Sequence, residues 1–162
     1  MPNYTSGAIE NLALAAISQR RGLKACAQDI AFATGFLESV GYPGLKLLAE
    51  ALEETRQDFM PPALAPEYGL VDTQNISCVY IAAQLNDLAL QHGRIVLMQV
   101  RHGLFCVPFS VRHNYAIGCP IDPSFALGGE REKNPYLEKL AHSAETGIEV
   151  EESIIHRIEA LT

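Results

Sequence analysis

Apolar positions in the first third of the chain recur with a helical period. Ile9, Leu12, Ala13, Ala16 and Ile17 fall at i, i+3, i+4, i+7 and i+8, which predicts an amphipathic helix over 7–20. Ser6 stands where a cap is needed, Arg20 and Arg21 sit at the negative end of the dipole, and Gly22 ends the run. A second predicted helix covers 23–40, apolar at Ala27, Ile30, Ala33, Leu37 and Val40, with Phe32 and Phe36 widening the stripe. Gly35 costs about 1 kcal/mol in a helix interior, which points to close approach of another helix. Gly41-Tyr42-Pro43-Gly44 is a break, and a third helix follows over 45–59. There Leu45, Leu48, Ala49 and Leu52 face inward, and Glu50, Glu53 and Glu54 form a solvated face. Short connections predict antiparallel packing of neighbouring helices.

The pattern then changes. Residues 60–69 contain Pro61, Pro62 and Pro66, an extended connector and the best internal boundary in what reads as one domain, 1–162, with a seam. Ile81, Leu85, Leu88 and Ala89 share a face and predict a helix over 78–91, with a strand at 78–83 as the competing reading. Residues 94–101 and 104–112 read as a β-hairpin turning at His102-Gly103. In that register Val100 faces Phe105, Met98 faces Val107 and Val96 faces Phe109, all on one apolar side. His-Gly is a poor turn pair, and Pro108 would need an edge or a bulge. A short strand over 115–118, a loop over 119–129 and helices over 134–144 and 151–161 complete the expectation. The fold class expected is α+β: a three-helix N-terminal region, a further helix, a β-hairpin or small antiparallel sheet, and C-terminal helices.

Composition narrows the function classes. Of 162 residues only 19% are charged, below the roughly 25% of ordinary domains, which points to a surface partly hidden in a homodimer. A net charge of −7 argues against nucleic acid, whose phosphates need a basic footprint. No apolar run approaches the roughly 18 residues that span a bilayer. Met1-Pro2-Asn3-Tyr4-Thr5 lacks the basic and apolar parts of a signal peptide, so the cytoplasm is expected by default. Cys26, Cys78, Cys106 and Cys119 contain no CxxC pair and read as reduced, small buried hydrophobes.

Candidate chemistry lies in a stretch without acid. Between Asp87 and Asp122 there is no carboxylate, while Arg94, Arg101, Arg112, His92, His102 and His113 fall inside. The hairpin register brings Arg94 beside Val111 and Arg112, with His113 adjacent. Two guanidinium forks and an imidazole could there hold a carboxylate or phosphate. The alternative is that these arginines pair with the acidic C-terminal third. His102, Cys106, His113 and Cys119 are metal-ligand types, but on one strand Cys106 and His113 stand roughly 23 Å apart, so no metal is expected. The same distance argues against a Cys106–His113 nucleophilic pair and leaves His113 with Cys119 open. The signatures of P-loops, dinucleotide-binding turns and nucleophile elbows do not occur, and no cofactor is expected.

The stretches Glu10-Asn11-Leu12 to Gly22-Leu23, Ala27 to Ala33, Phe36-Leu37-Glu38-Ser39-Val40-Gly41 and Gly44-Leu45 resemble a bacterial domain-of-unknown-function family. Its members join a short helix, a Gly-Leu step and an Ala-rich helix ending in a W-L-x-x-x-G type motif. Phe36 stands here at the Trp position. Val107-Pro108-Phe109 resembles that family's L-P-F strand, and Ile154 to Thr162 its penultimate helix. Longer members continue with a Pro/Ser/Gly-rich tail, so the resemblance implies a truncated form or a short variant. It carries no assigned activity. A more distant resemblance is to the helical start of type-2 malate/lactate dehydrogenases, whose Ser-His-Gly motif is here Tyr42-Pro43-Gly44.

Two functions from different classes are expected. One is a non-catalytic dimeric module binding a small anion, through Arg94, Arg112 and His113, or a partner protein. The other is an enzyme acting on a small carboxylated metabolite, with His113 as acid/base.

Overall fold

The computed structural model describes residues 2–118 and 120–162. The fold is α+β, and the chain divides into two compact units. One holds the chain up to Pro61 together with Tyr136–Thr162; the other is Pro62–Pro135.

The first unit is helical. After a two-residue strand β1 (Asn3–Tyr4), helix α1 covers Ser6–Ile17. Thr5, one residue before the expected cap, accepts from the Ala8 N–H at 3.1 Å. The expected second helix is two pieces: a 3-10 segment over Arg21–Cys26, then α2 over Ala27–Ser39. Gly35 sits where an added Cβ would stand 2.7 Å from Glu10 Cγ, so α1 is the helix whose approach it permits. Gly22 has a harder constraint, since a Cβ there would stand 2.0 Å from the Phe59 carbonyl oxygen.

Helix α3 (Gly44–Glu54) ends earlier than its pattern suggested. Arg20 lies buried across its C-terminus and donates to the carbonyls of Leu52, Thr55 (3.0 Å) and Arg56 (3.2 Å). The guanidinium thus meets both the orphan acceptors and the negative end of the dipole. The C-terminal segment belongs to this unit. There α6 (Leu137–Thr146), strand β6 (Ile148–Glu149, antiparallel to β1) and α7 (Glu152–Glu159) follow in order. Ile155 and Ile158 of α7 are buried, and Arg157 grips Glu53 of α3 with two 2.7 Å bonds.

The second unit is a four-stranded sheet with two helices. In chain order it contains β2 (Leu70–Asp72), α4 (Cys78–His92), β3 (Arg94–Met98), α5 (Val107–Arg112), β4 (Tyr115–Ile117) and β5 (Ser124–Arg131). The sheet order is β2-β3-β5-β4, with β2 parallel to β3 and the other pairs antiparallel. Ile95, Leu97, Phe125 and Leu127 form the buried face. The proline connector is pinned to α4 by Gln84, whose amide nitrogen donates to Pro62 O at 2.9 Å and whose oxygen accepts from Leu64 N.

The expected hairpin over 94–112 does not form. Arg94 stands opposite Gly128 on β5, and Met98 opposite Ser124. Residues 103–106 wind into a 3-10 turn and 107–112 into α5, so Val107-Pro108-Phe109 is helical, not a strand. Two physical reasons favour the helix. Pro108 lies in the first turn, where no N–H is required. Residues Phe105 to Ser110 are buried without interruption, which an element enclosed on several sides tolerates and a half-exposed strand does not. The only polar side chain in that run, Ser110, donates to Asn86 Oδ1 at 2.7 Å. The segment expected as loop, 119–129, supplies most of β5 instead.

Candidate functional site

The helical unit contains an open cleft of about 600 Å³ between the C-terminal end of α2, helix α6 and the Gly147–Glu149 segment. Its position follows from two chain reversals. Gly41 takes φ +86° after α2 and turns the chain so that Tyr42 lines the cleft. Gly147 takes φ +82° after α6, which no β-carbon-bearing residue adopts cheaply. The Tyr42 ring is held by Tyr136, with ring centres 5.9 Å apart and hydroxyls 3.2 Å apart. Phe36 meets the other side of Tyr136 edge-on at 5.8 Å.

Glu38 is the chemically distinctive group of the lining. It is half-buried, and Leu45 N in the first turn of α3 donates to its Oε1 at 2.8 Å. That is its one side-chain hydrogen bond among the described residues, so the carboxylate retains acceptor capacity. Burial pushes the Glu38 pKa up, and the bond from Leu45 offsets only part of that. Opposite, α6 presents Glu138, Lys139 and His142, all exposed. The Ser143 hydroxyl is committed to its own helix, donating to the Lys139 carbonyl at 3.0 Å. With Glu149, three carboxylates face one lysine and one histidine around the cleft. The Tyr42 ring and a desolvated acceptor suit a ligand that brings its own N–H donors.

The residues expected from sequence lie elsewhere, in the sheet unit. Arg94 opens β3, exposed, and a Cβ placed on Gly129 would stand 3.3 Å from its own. Arg112 ends α5 with its guanidinium 5.4 Å from the Phe109 ring centre. His113 caps the same helix, half-buried. Arg112 and His113 are thus adjacent, but β5 separates Arg94 from β4, the strand that follows them. The pairing that was to join all three is not made. Their neighbour Arg131 donates to His113 O at 2.7 Å and stacks over the Tyr115 ring at 4.2 Å. The His113 ring itself makes no hydrogen bond or ion pair among the described residues.

Other expected chemistry changes with the helix. Cys106 and His113 bracket α5, so the strand separation of roughly 23 Å is replaced by a rise of roughly 10 Å. Among the described residues, no three His, Cys, Asp or Glu gather around a common point. Cys78 and Cys106 are fully buried neighbours, and the thiol of Cys78, hydrogen-bonded to that of Cys106, holds the Cys106 pKa up together with desolvation. Cys119 lies outside the described residues, and with it the His113–Cys119 pairing.

Sequence reasoning passed over a second polar cluster, where Ser77 Oγ meets His102 Nδ1 at 2.6 Å. Ser77 caps α4 and already accepts from Val79 N, and its residue is only 5% exposed. The pair ties the loop after β2 to the loop after β3. Glu38 was also passed over, because its chemistry comes from burial and from a partner seven residues away across a turn. Comparison of the chain with known protein families, with curated proteins and with solved structures returns no match.

Proposed function

We propose that the chain is a non-catalytic binding module whose small-molecule site is the cleft beside Glu38. The observation that carries this reading is a half-buried carboxylate with spare acceptor capacity in an open cleft beside Tyr42. The excess of carboxylates around it favours a cationic, amine-bearing ligand over the anion expected from the arginines. A ligand N–H reaching Glu38 displaces water from a group that is already poorly hydrated. A hydrogen bond to a charged group contributes about 1.5–3 kcal/mol in such a place. Binding needs the ionised carboxylate, so affinity falls as pH drops, and does so at higher pH than for an ordinary glutamate.

The test is a titration of the isotope-labelled protein with short aliphatic diamines and, separately, the matched dicarboxylates, followed by amide chemical shifts. Diamines should shift α2 and α6 resonances, and Glu38→Gln, which keeps the acceptor for Leu45 N, should weaken them at least tenfold. Equal binding by Glu38→Gln, or shifts confined to Arg94, Arg112 and His113 with the dicarboxylates, would return the site to the arginines. No observation here favours an acid/base role for His113.

A further inference from the structure

We infer that the ligand of the cleft beside Glu38 is a diamino monocarboxylic acid, with its side-chain amine at Glu38 and its amino-acid head, ammonium and carboxylate, against helix α6. The inference rests on the amine-binding reading of that cleft and adds to it the groups that α6 presents. Glu138, Lys139 and His142 all line the cleft, across from Glu38. Residues three and four apart share a helix face, and Glu138 and Lys139 each stand at that spacing from His142. The face of α6 on the cleft thus carries one acceptor and two donors.

The Glu138, Lys139 and His142 side chains make no hydrogen bond or ion pair among the described residues, so all three are available to a ligand. A simple diamine meets the carboxylates but sets its charge against Lys139 and brings no acceptor for the two donors. A carboxylate on the ligand meets both. The lysine ammonium has three donors and no acceptor, and an imidazole carries an N–H in either charge state. The chain neighbours Glu138 and Lys139 have opposite charge, as do the ammonium and carboxylate on the α-carbon of an amino acid. At the half-buried end the group on offer is an acceptor, Glu38 beside Tyr42, which takes the side-chain amine. An acidic amino acid would set a second carboxylate against Glu38, and an aliphatic one would bring it no donor. Three carboxylates against one lysine also favour a ligand with two ammonium groups and one carboxylate, which is a net cation. A cleft of about 600 Å³ has room for a small molecule of this kind.

Two probes that differ by one group test the inference: L-lysine and 1,5-diaminopentane, which is L-lysine without its carboxylate. Each is titrated into the isotope-labelled full chain at neutral pH, and Kd is read from the amide shifts of α2 and α6. L-Lysine should bind about fivefold more tightly, as one partly exposed ion pair provides. Lys139→Met keeps the stem and should bring that ratio near one; His142→Phe should lower it by less. Circular dichroism establishes that each variant is folded. Equal binding of the two probes by wild type, or a ratio unchanged by Lys139→Met, overturns this inference and leaves the amine site standing. Binding of neither probe, or undiminished binding by Glu38→Gln, removes the amine site and this inference with it.

Discussion

The two units reverse their chain by different means. In the helical unit, the left-handed positions among the described residues are glycines, Gly41 and Gly147. In the sheet unit they include Tyr68, Gln74, Asn75, Gln99, His102 and Asn114 as well as glycines. A side chain in that region costs roughly 1–2 kcal/mol, less for asparagine. The difference follows from what each unit must join. A helical hairpin needs one sharp turn after a regular element, and a glycine supplies it. The sheet unit joins β2 to α4 and β3 to α5 through two loops that also hold each other. Thr73 Oγ1 donates to Gln99 O at 2.7 Å, Asn75 Nδ2 to Gln99 Oε1 at 3.0 Å, and Ser77 pairs with His102. Side-chain ties hold these loops in conformations that local preference disfavours.

The largest test of this contrast concerns Arg20, which does for the helical unit by one buried side chain what many loop bonds do for the other. Arg20→Met keeps the stem but leaves the carbonyls of Leu52, Thr55 and Arg56 without their donor. Urea unfolding should show a loss of about 3 kcal/mol. Arg20→Lys should recover only part, since an ammonium cannot fork across three acceptors. A loss under 1 kcal/mol would mean that water replaces the guanidinium without penalty.

The next test sets the two kinds of reversal against each other. Gly41 has open space where a Cβ would stand, so Gly41→Ala reads the backbone cost alone. It should destabilise by about 1 kcal/mol. Gln74 has φ +56° and an exposed side chain. Gln74→Gly should stabilise by about 0.5–1 kcal/mol, the relieved strain less the added entropy of glycine. Opposite signs in matched thermal melts support the contrast; equal signs would break it.

The smallest effect is electrostatic. The Arg157 fork on Glu53 pulls the Glu53 pKa down. A depressed carboxylate contributes stability above its unfolded value, and that contribution is lost as pH falls through the folded one. Both side chains are more than 30% exposed, so Arg157→Ala should cost no more than about 0.5 kcal/mol at neutral pH and nothing in acid. A larger, pH-independent cost would indicate packing by the arginine stem.

The helices were legible because their signal is local. A stripe such as Ile9, Ala13, Ala16 and Ile17 specifies a helix and its buried face with no knowledge of what covers it, and Gly35 announced a close neighbour without naming it. The strands were less so. Residues 94–98 read correctly as a strand, with Ile95 and Leu97 buried and Val96 and Met98 turned outward. Their partners are about 30 residues away in β5 and more than 20 away in β2, and a period of two carries no address. The nearest apolar segment, 104–112, supplied a false one. Of the candidate site, Arg112 and His113 are adjacent by chain continuity, whereas the hairpin that was to place Arg94 beside them does not form.

The amino-acid sequence alone determined the α+β class, the places of most helices, and a chain with no apolar run long enough to cross a bilayer. It did so because helix period, proline connectors and composition act over a few residues. The tertiary structure decided that α6, β6 and α7 join the N-terminal helices, that 107–112 is helical, and that Glu38 lines a cleft. Each of these depends on contacts between segments distant in the chain, where burial and carbonyl acceptors from elsewhere outweigh local preference.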